Sequence, residues 1–310
     1  GGLVGSEMCI RDSLLPENYG IGLSGAVLIS PALEFAPLNP SDYDALPWID
    51  KLSTMAAAAA FHGRSRAFDA TAPIEDVLVA AEEFATTEYV AFLTRGAGLD
   101  PAERRSIIGR LADLLGLPLD VVERAEGRIT METFGRELLR PERQVLGMYD
   151  ATITAHDPFP DRSTYAGPDP TLAGIESVYA AAINQQLRDA VGVVTDREYH
   201  LLSYEVFRSW KLDIEHHALN SNVGATDDLR YGMSLNPHLQ VYIMHGRYDL
   251  VTPYFTTDRI RNLMRLDPDV AARLSVTHYP GGHMFSAWEE SSIAFRNAIG
   301  QFYQRALGDW

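Results

Sequence analysis

The sequence predicts an α/β fold in which a parallel β-sheet is interrupted by a large, mostly helical insertion. Three short apolar runs, at residues 25–30, 239–246 and 274–279, are bounded by glycine or proline. Such runs are typical of parallel strands that are buried on both faces. Helix-forming segments alternate with the last two runs, whereas residues 62–235 carry many helix signals and few strand signals.

This pattern divides the chain into two parts. We predict that residues 14–61 and 236–310 form a sheet-containing core and that residues 62–235 form a helical insertion between two of its strands. Residues 1–13 show neither helical nor strand periodicity and resemble a translated sequencing-adapter read-through. We therefore expect that these thirteen residues do not belong to the natural protein.

Composition excludes two classes of partner. The 310 residues include 42 acidic and 26 basic side chains, which gives a formal net charge of −16. This charge repels phosphate backbones and anionic lipid, so we expect no nucleic-acid partner and no membrane partner. No apolar run reaches the roughly 18–20 residues that a membrane-spanning helix needs. Cys9 is the only cysteine, which excludes an internal disulfide and a cysteine-rich metal site.

Two helices are predicted early in the chain. Residues 48–62 contain an alanine run at 56–60 that favours a closely packed helix, and Gly63 would end it. A second helix is predicted to end at Arg95, before Gly96. Its apolar stripe consists of Ile74, Leu78, Ala81 and Ala85.

The middle of the chain continues with helices and one irregular stretch. Asp100 is placed as an N-cap, Pro101 as the first helical residue and Gly116 just beyond the helix end. Another long helix is predicted after Pro170. Residues 143–169 are too rich in glycine, proline and aspartate for a helix and indicate a strand-like piece followed by a loop.

The C-terminal part predicts a β-α-β-α order. A helix is expected at residues 255–266, between the last two strands. Ser286 and Glu289 have the spacing of a capping box at the start of a final helix. The apolar stripe of that helix consists of Phe295, Ile299, Phe302 and Ala306.

Two polar residues follow successive predicted strands. Asp249 lies in the turn after the strand at 239–246, and His283 follows the strand at 274–279. The carboxyl ends of parallel strands meet at one edge of the sheet, where reactive groups collect. A histidine acts as a base near neutral pH, and a carboxylate on Nδ1 orients it. We therefore predict that Asp249 orients His283 as a catalytic pair.

At these residues the sequence resembles the serine carboxypeptidase family, in its bacterial form, of the α/β-hydrolase superfamily. The motifs that carry the resemblance are GLSGAVLISPALE at 22–34, HGRYDLVTPYF at 245–255 and YPGGHMF at 279–285. The resemblance implies the C-terminal part of an α/β-hydrolase sheet with a helical cap as the insertion. It also implies an enzyme that binds the C-terminus of a peptide and releases the last amino acid through a Ser-Asp-His triad and an acyl-enzyme, without a cofactor.

The family's nucleophile has no counterpart in the sequence. In the family it lies in a Gly-Glu-Ser-Tyr-Gly elbow upstream of the strand that corresponds to residues 25–30, together with the oxyanion-hole loop. Ser6 lacks the second glycine of the elbow, and Ser24 precedes a strand where the elbow requires a helix. We therefore expect an N-terminally truncated, inactive member whose strand at 25–30 leaves an open, aggregation-prone edge.

Other polar and aromatic residues are weaker candidates. Asp213 and His217 are spaced i, i+4 and could bind a metal on one helix face, but without a recognisable third ligand a solvated face is the better interpretation. No metal site is therefore predicted. Tyr248 and Trp288 flank the catalytic pair and either line a pocket or belong to the core.

Two alternative functions remain open at this stage. An esterase, lipase or aminopeptidase of the same fold would use the same Asp249 and His283 but would not bind a free C-terminal carboxylate. A non-catalytic binding protein would retain the two residues without a reaction. Cleavage of a substrate blocked at its C-terminus, as efficient as that of the free acid, would favour the first alternative. A genuine reading frame ahead of Leu14 without a nucleophile elbow would favour the second.

Overall fold

The computed structural model describes residues 22–38, 40–209 and 224–308, and these residues form an α/β structure. Within these ranges five strands occur in two sheets, and the predicted apolar runs near the two ends of the chain are confirmed as strands. The strands are β1 (Gly25–Ile29), β2 (Gln144–Leu146), β3 (Thr154–His156), β4 (Gln240–Gly246) and β5 (Leu274–Tyr279).

The helices account for most of the described chain between β1 and β4, as the sequence predicts. Short 3-10 turns and two π-type turns, at 85–89 and 186–190, connect some of them. The helices are α1 (Leu46–Phe61), α2 (Ile74–Phe84), α3 (Val90–Arg95), α4 (Pro101–Leu115), α5 (Leu119–Arg124), α6 (Met131–Glu137), α7 (Pro170–Ala173), α8 (Glu176–Gln185), α9 (Tyr204–Ser209), α10 (Thr226–Leu235), α11 (Tyr254–Leu263), α12 (Pro268–Ala271) and α13 (Glu289–Leu307).

The larger sheet is parallel and has the strand order β1-β4-β5. Leu28 pairs with Ile243, and Ile243 pairs with Val276 on the other side. Side chains of β4 alternate between two buried clusters, so this central strand is covered on both faces. In the described residues β1 is an edge strand, and Ile29 on it is 52% exposed.

The C-terminal helix α13 covers one face of this sheet. The ring of Phe302 stacks on that of Tyr242 with 5.8 Å between their centroids, which confirms the predicted apolar stripe. The predicted capping box is wrong, because Ser286 lies inside a 3-10 turn and Trp288 precedes the helix without a side-chain cap. The capping box places the N-cap at Ser286, but the 3-10 turn at Phe285–Ala287 comes first and the helix begins only at Glu289.

Helix α1 packs against helices of the insertion and also against α11, which follows β4. The alanines at 56–59 have no exposed surface, and their small side chains allow this close approach. They belong to a large apolar cluster that also includes Leu111 and Phe134. The boundary at residues 61 and 62 stays a prediction.

Local signals define α4 correctly but overestimate the next long helix. The Asp100 side chain accepts hydrogen bonds from the backbone N–H groups of Ala102 and Glu103, and Gly116 has a φ of 65°. The single helix predicted after Pro170 is wrong, because the chain leaves helical geometry at Ile175, where φ is −125°. The preceding glycine, Gly174, has a low helix propensity, which favours a break there.

The stretch predicted as one strand-like piece forms an antiparallel hairpin. Strands β2 and β3 pair with Val145 opposite Ala155, and the connecting residues 147–153 form hydrogen bonds with the loops that follow β4 and β5. The predicted strand thus has a partner within the same irregular stretch. The hairpin is part of the insertion and, as described below, contacts the candidate site.

Several predictions concern residues outside the described ranges. They are the assignment of residues 1–13, with Ser6 and Cys9, and the metal interpretation of Asp213 and His217. Within the described ranges, no helix has both the length and the apolar character needed to cross a lipid bilayer.

Candidate active site

The carboxyl ends of β4 and β5 bring two polar side chains together. Asp249 lies three residues beyond the end of β4, and His283 lies four residues beyond the end of β5. Asp249 Oδ2 is 2.7 Å from His283 Nδ1, so the hydrogen bond that the sequence predicts between these side chains is present. Two adjacent parallel strands place the loops that follow them side by side.

Asp249 is held by its own loop. Its side chain is fully buried, and Oδ1 accepts hydrogen bonds from the backbone N–H groups of Val251 and Thr252. The Thr252 hydroxyl donates to Oδ2 over 2.6 Å. These donors compensate for burial of the carboxylate and aim its second oxygen at His283.

His283 is positioned to act as a base. Burial lowers its pKa, but the negative charge of Asp249 and the hydrogen bond to it outweigh burial, so the pKa of His283 is raised above its ordinary value. Because Nδ1–H donates to Asp249, the neutral ring carries its free lone pair on Nε2. No hydrogen bond joins Nε2 to another described residue.

A segment of the insertion connects both loops through its backbone. The N–H of His283 donates to the carbonyl of Tyr149 over 2.6 Å, and the N–H of Leu250 donates to that of Met148 over 3.0 Å. The Tyr149 ring meets the imidazole edge-on, with 5.4 Å between centroids. The sequence did not predict this contact, and Gly147 and Asp150 were local signals of a turn only.

Ser30 is a second residue that the sequence analysis missed. It directly follows β1 and has a φ of 47°, a left-handed backbone conformation that non-glycine residues rarely adopt. Its side chain is buried, and its hydroxyl donates to the backbone carbonyl of His283 over 2.9 Å. Thus β1, β4, β5 and the insertion all contact the loop that carries His283.

A cavity of about 470 Å³ opens beside His283. Its described lining is mainly apolar and comes from the insertion and from the residues just after His283. It includes Glu176 but no lysine or arginine. Residues that line it are Tyr149, Leu172, Ile175, Tyr179, Leu202 and Met284.

Three side chains considered earlier do not contribute to this cavity. Ser24, which the sequence analysis rejects as the nucleophile, precedes the amino end of β1, about 16 Å along the strand from the edge where His283 lies. Tyr248 and Trp288 stack on each other with 6.1 Å between centroids. Neither lines the cavity, so the core interpretation is the better one for this pair.

The neighbouring histidines have other partners. His245 is fully buried, and its Nε2 is 2.8 Å from the Thr257 hydroxyl. Burial lowers the pKa of His245 to about 4, so it is neutral at neutral pH. His278 Nε2 is 3.1 Å from a carboxylate oxygen of Asp258. Within the described ranges no three histidine, cysteine or acidic side chains converge as metal ligands.

Comparison of the chain with protein-family models, with curated proteins and with solved structures gives no match. No relative therefore assigns a role to Asp249 or His283. The geometry of the site and the three sequence motifs remain as the basis for a function.

Proposed function

We propose that Asp249 and His283 are the acid–base pair of a serine hydrolase. The observation that carries the proposal is the 2.7 Å hydrogen bond between a fully buried carboxylate and an imidazole whose Nε2 has no described partner. The two residues follow adjacent parallel strands, in the chain order that α/β-hydrolases use for the acid and the base. The nucleophilic serine would come from outside the described residues.

In the proposed reaction, His283 Nε2 removes the proton from the serine hydroxyl as its oxygen attacks a carbonyl carbon. The protonated imidazole then gives that proton to the leaving group, and an acyl-enzyme remains. Water attacks the acyl-enzyme with the same histidine as base, which releases the acid and restores the serine. Asp249 keeps the ring in the required orientation and stabilises the imidazolium.

The first candidate activity is that of a serine-type carboxypeptidase in an α/β-hydrolase fold. It follows from the resemblance of the motifs at 22–34, 245–255 and 279–285. The helical insertion would act as the cap that closes one side of the cleft. The mostly apolar cavity beside His283 would accept a side chain near the bond that is cleaved.

The test is a form of the protein extended upstream by an elbow serine and an oxyanion-hole loop. Its release of C-terminal amino acids from peptides is followed by mass spectrometry. His283→Ala should lower the turnover number by at least about a thousandfold. His238→Ala, at an exposed histidine, is the matched control and should retain activity. A folded extended protein that releases no C-terminal amino acid would contradict the carboxypeptidase activity, and one that cleaves neither peptides nor esters would contradict the proposal and favour a non-catalytic binding protein.

The lining of the cavity favours one alternative. Glu176 is its acidic residue, and no described lysine or arginine lies there to pair with a free carboxylate. An anion at that place suits the ammonium group of a peptide N-terminus, as in an aminopeptidase. Peptides blocked at one end distinguish the two activities. An aminopeptidase would cleave a peptide amide and reject an N-acetylated peptide, and Glu176→Gln would raise its KM.

A further inference from the structure

Asp150 lies in the turn between β2 and β3 and is 5% exposed. Its carboxylate accepts four hydrogen bonds, and the two oxygens serve different parts of the molecule. Oδ1 accepts from the N–H and the hydroxyl of Thr152, within the hairpin itself. Oδ2 accepts from the N–H of Gly282, over 3.0 Å, and from the indole N–H of Trp288, over 3.2 Å.

We infer that Asp150 is a positioning residue for His283, because its Oδ2 holds the backbone of the preceding residue, Gly282, against the insertion. The inference rests on the proposed function, since it concerns the same catalytic pair. Asp150 touches neither a substrate nor the imidazole. It would act by determining where the loop after β5 runs and therefore where the ring meets Asp249.

Two successive peptide units, Gly281–Gly282 and Gly282–His283, are both held by the insertion through their N–H groups. Asp150 accepts the N–H of Gly282, and the adjacent backbone carbonyl, that of Tyr149, accepts the N–H of His283 over 2.6 Å. The approach is so close that a Cβ on Gly282 would collide with the Tyr149 carbonyl and with the Cα of Asp150. The loop therefore has little freedom while these bonds are intact.

Only an acid can satisfy all four donors. An asparagine at 150 has one oxygen, and its NH₂ group would face two N–H or O–H donors in either orientation. Because the side chain is buried, water does not replace the lost acceptor. Asp150→Asn therefore leaves only one of the two sides without an acceptor, whereas Asp150→Ala removes both oxygens and so releases the Gly282 side in every case.

The experiment uses the 310-residue chain labelled at histidine and compares Asp150→Ala with Thr152→Val. Thr152→Val removes a hydroxyl that donates to Oδ1 but leaves the bonds to Gly282 and Trp288 intact. The readouts are the pKa of His283 from its ring resonances and the downfield resonance of the proton between His283 Nδ1 and Asp249. Both report on this hydrogen bond without turnover, so they are independent of whether the protein is a hydrolase.

In Asp150→Ala we expect the pKa of His283 to fall and the downfield resonance to disappear, because the ring moves away from Asp249. In Thr152→Val both should remain as in the unchanged chain, even if the chain unfolds at lower urea. Equal His283 pKa values in Asp150→Ala and the unchanged chain would overturn the inference. If Asp150→Ala does not fold, amide hydrogen exchange in the unchanged chain is the deciding measurement. Exchange of Gly282 as slow as that of His283 supports the inference, and fast exchange overturns it.

Discussion

Replacing His245 by glutamine should remove a pH-dependent contribution to stability. His245 is fully buried at the end of β4, and Nε2 bonds to the Thr257 hydroxyl, a partner that a glutamine amide can also reach. Burial lowers the pKa of His245 in the folded chain to about 4 from an ordinary 6.5. The folded chain therefore keeps this ring neutral at pH values where the unfolded chain protonates it.

The sign and size of the effect follow from this difference. His245 contributes its full stabilisation above pH 6.5, and the contribution is lost as the pH falls from 6.5 to about 4. At about 1.4 kcal/mol for each pH unit, the loss amounts to about 3 kcal/mol in the free energy of unfolding. His245→Gln does not titrate, so it lacks this loss.

The assay is urea unfolding of both chains at several pH values between 4 and 7, followed by circular dichroism. Other titrating groups, such as Asp50 and Glu82, are present in both chains and cancel in the comparison. The free energy of unfolding of the unchanged chain should fall relative to that of His245→Gln by about 3 kcal/mol across this range. Parallel curves would refute the reasoning, because they would mean that the folded and unfolded chains protonate this histidine alike.

Two further predictions concern packing and charge. A Cβ at Gly246 would collide with the Gly282 carbonyl, so Gly246→Ala should lower the free energy of unfolding by about 1–3 kcal/mol. Gly300 lies on α13 with open space around it, so Gly300→Ala should raise the free energy of unfolding by up to about 1 kcal/mol. Urea unfolding measures both variants, and equal effects would contradict this reasoning. Arg259 forms two 2.7 Å hydrogen bonds with buried Asp50, and Arg259→Met should cost about 3–5 kcal/mol at pH 7. Burial raises the pKa of Asp50, and losing Arg259 raises it further, so this cost should shrink as the pH falls; a cost independent of pH would be the contrary result.

Local sequence signals were sufficient for elements whose stabilising contacts lie within the element. Asp100 caps α4 with its own side chain, and Gly116 ends that helix, so both ends are encoded within a few residues. The same reasoning failed after Pro170, where the chain leaves helical geometry at Ile175 and two shorter helices replace one. Helical periodicity does not by itself reveal such a break, because packing decides whether a helix continues.

The sequence by itself determined the parallel strands and the positions of Asp249 and His283 beyond the ends of two of them. That the side chains of Asp249 and His283 lie close together followed from a general property of parallel sheets, in which adjacent strands end at the same edge. Only the tertiary structure decided what holds the His283 loop in place. Ser30, Tyr149 and Asp150 lie more than 100 positions away along the chain. The hydrogen bond of Ser30 to this loop depends on the pairing of β1 with β4, and those of Tyr149 and Asp150 depend on how the insertion packs. Periodicity and local turn signals describe neighbours in the chain, so they carry no information about such distant contacts.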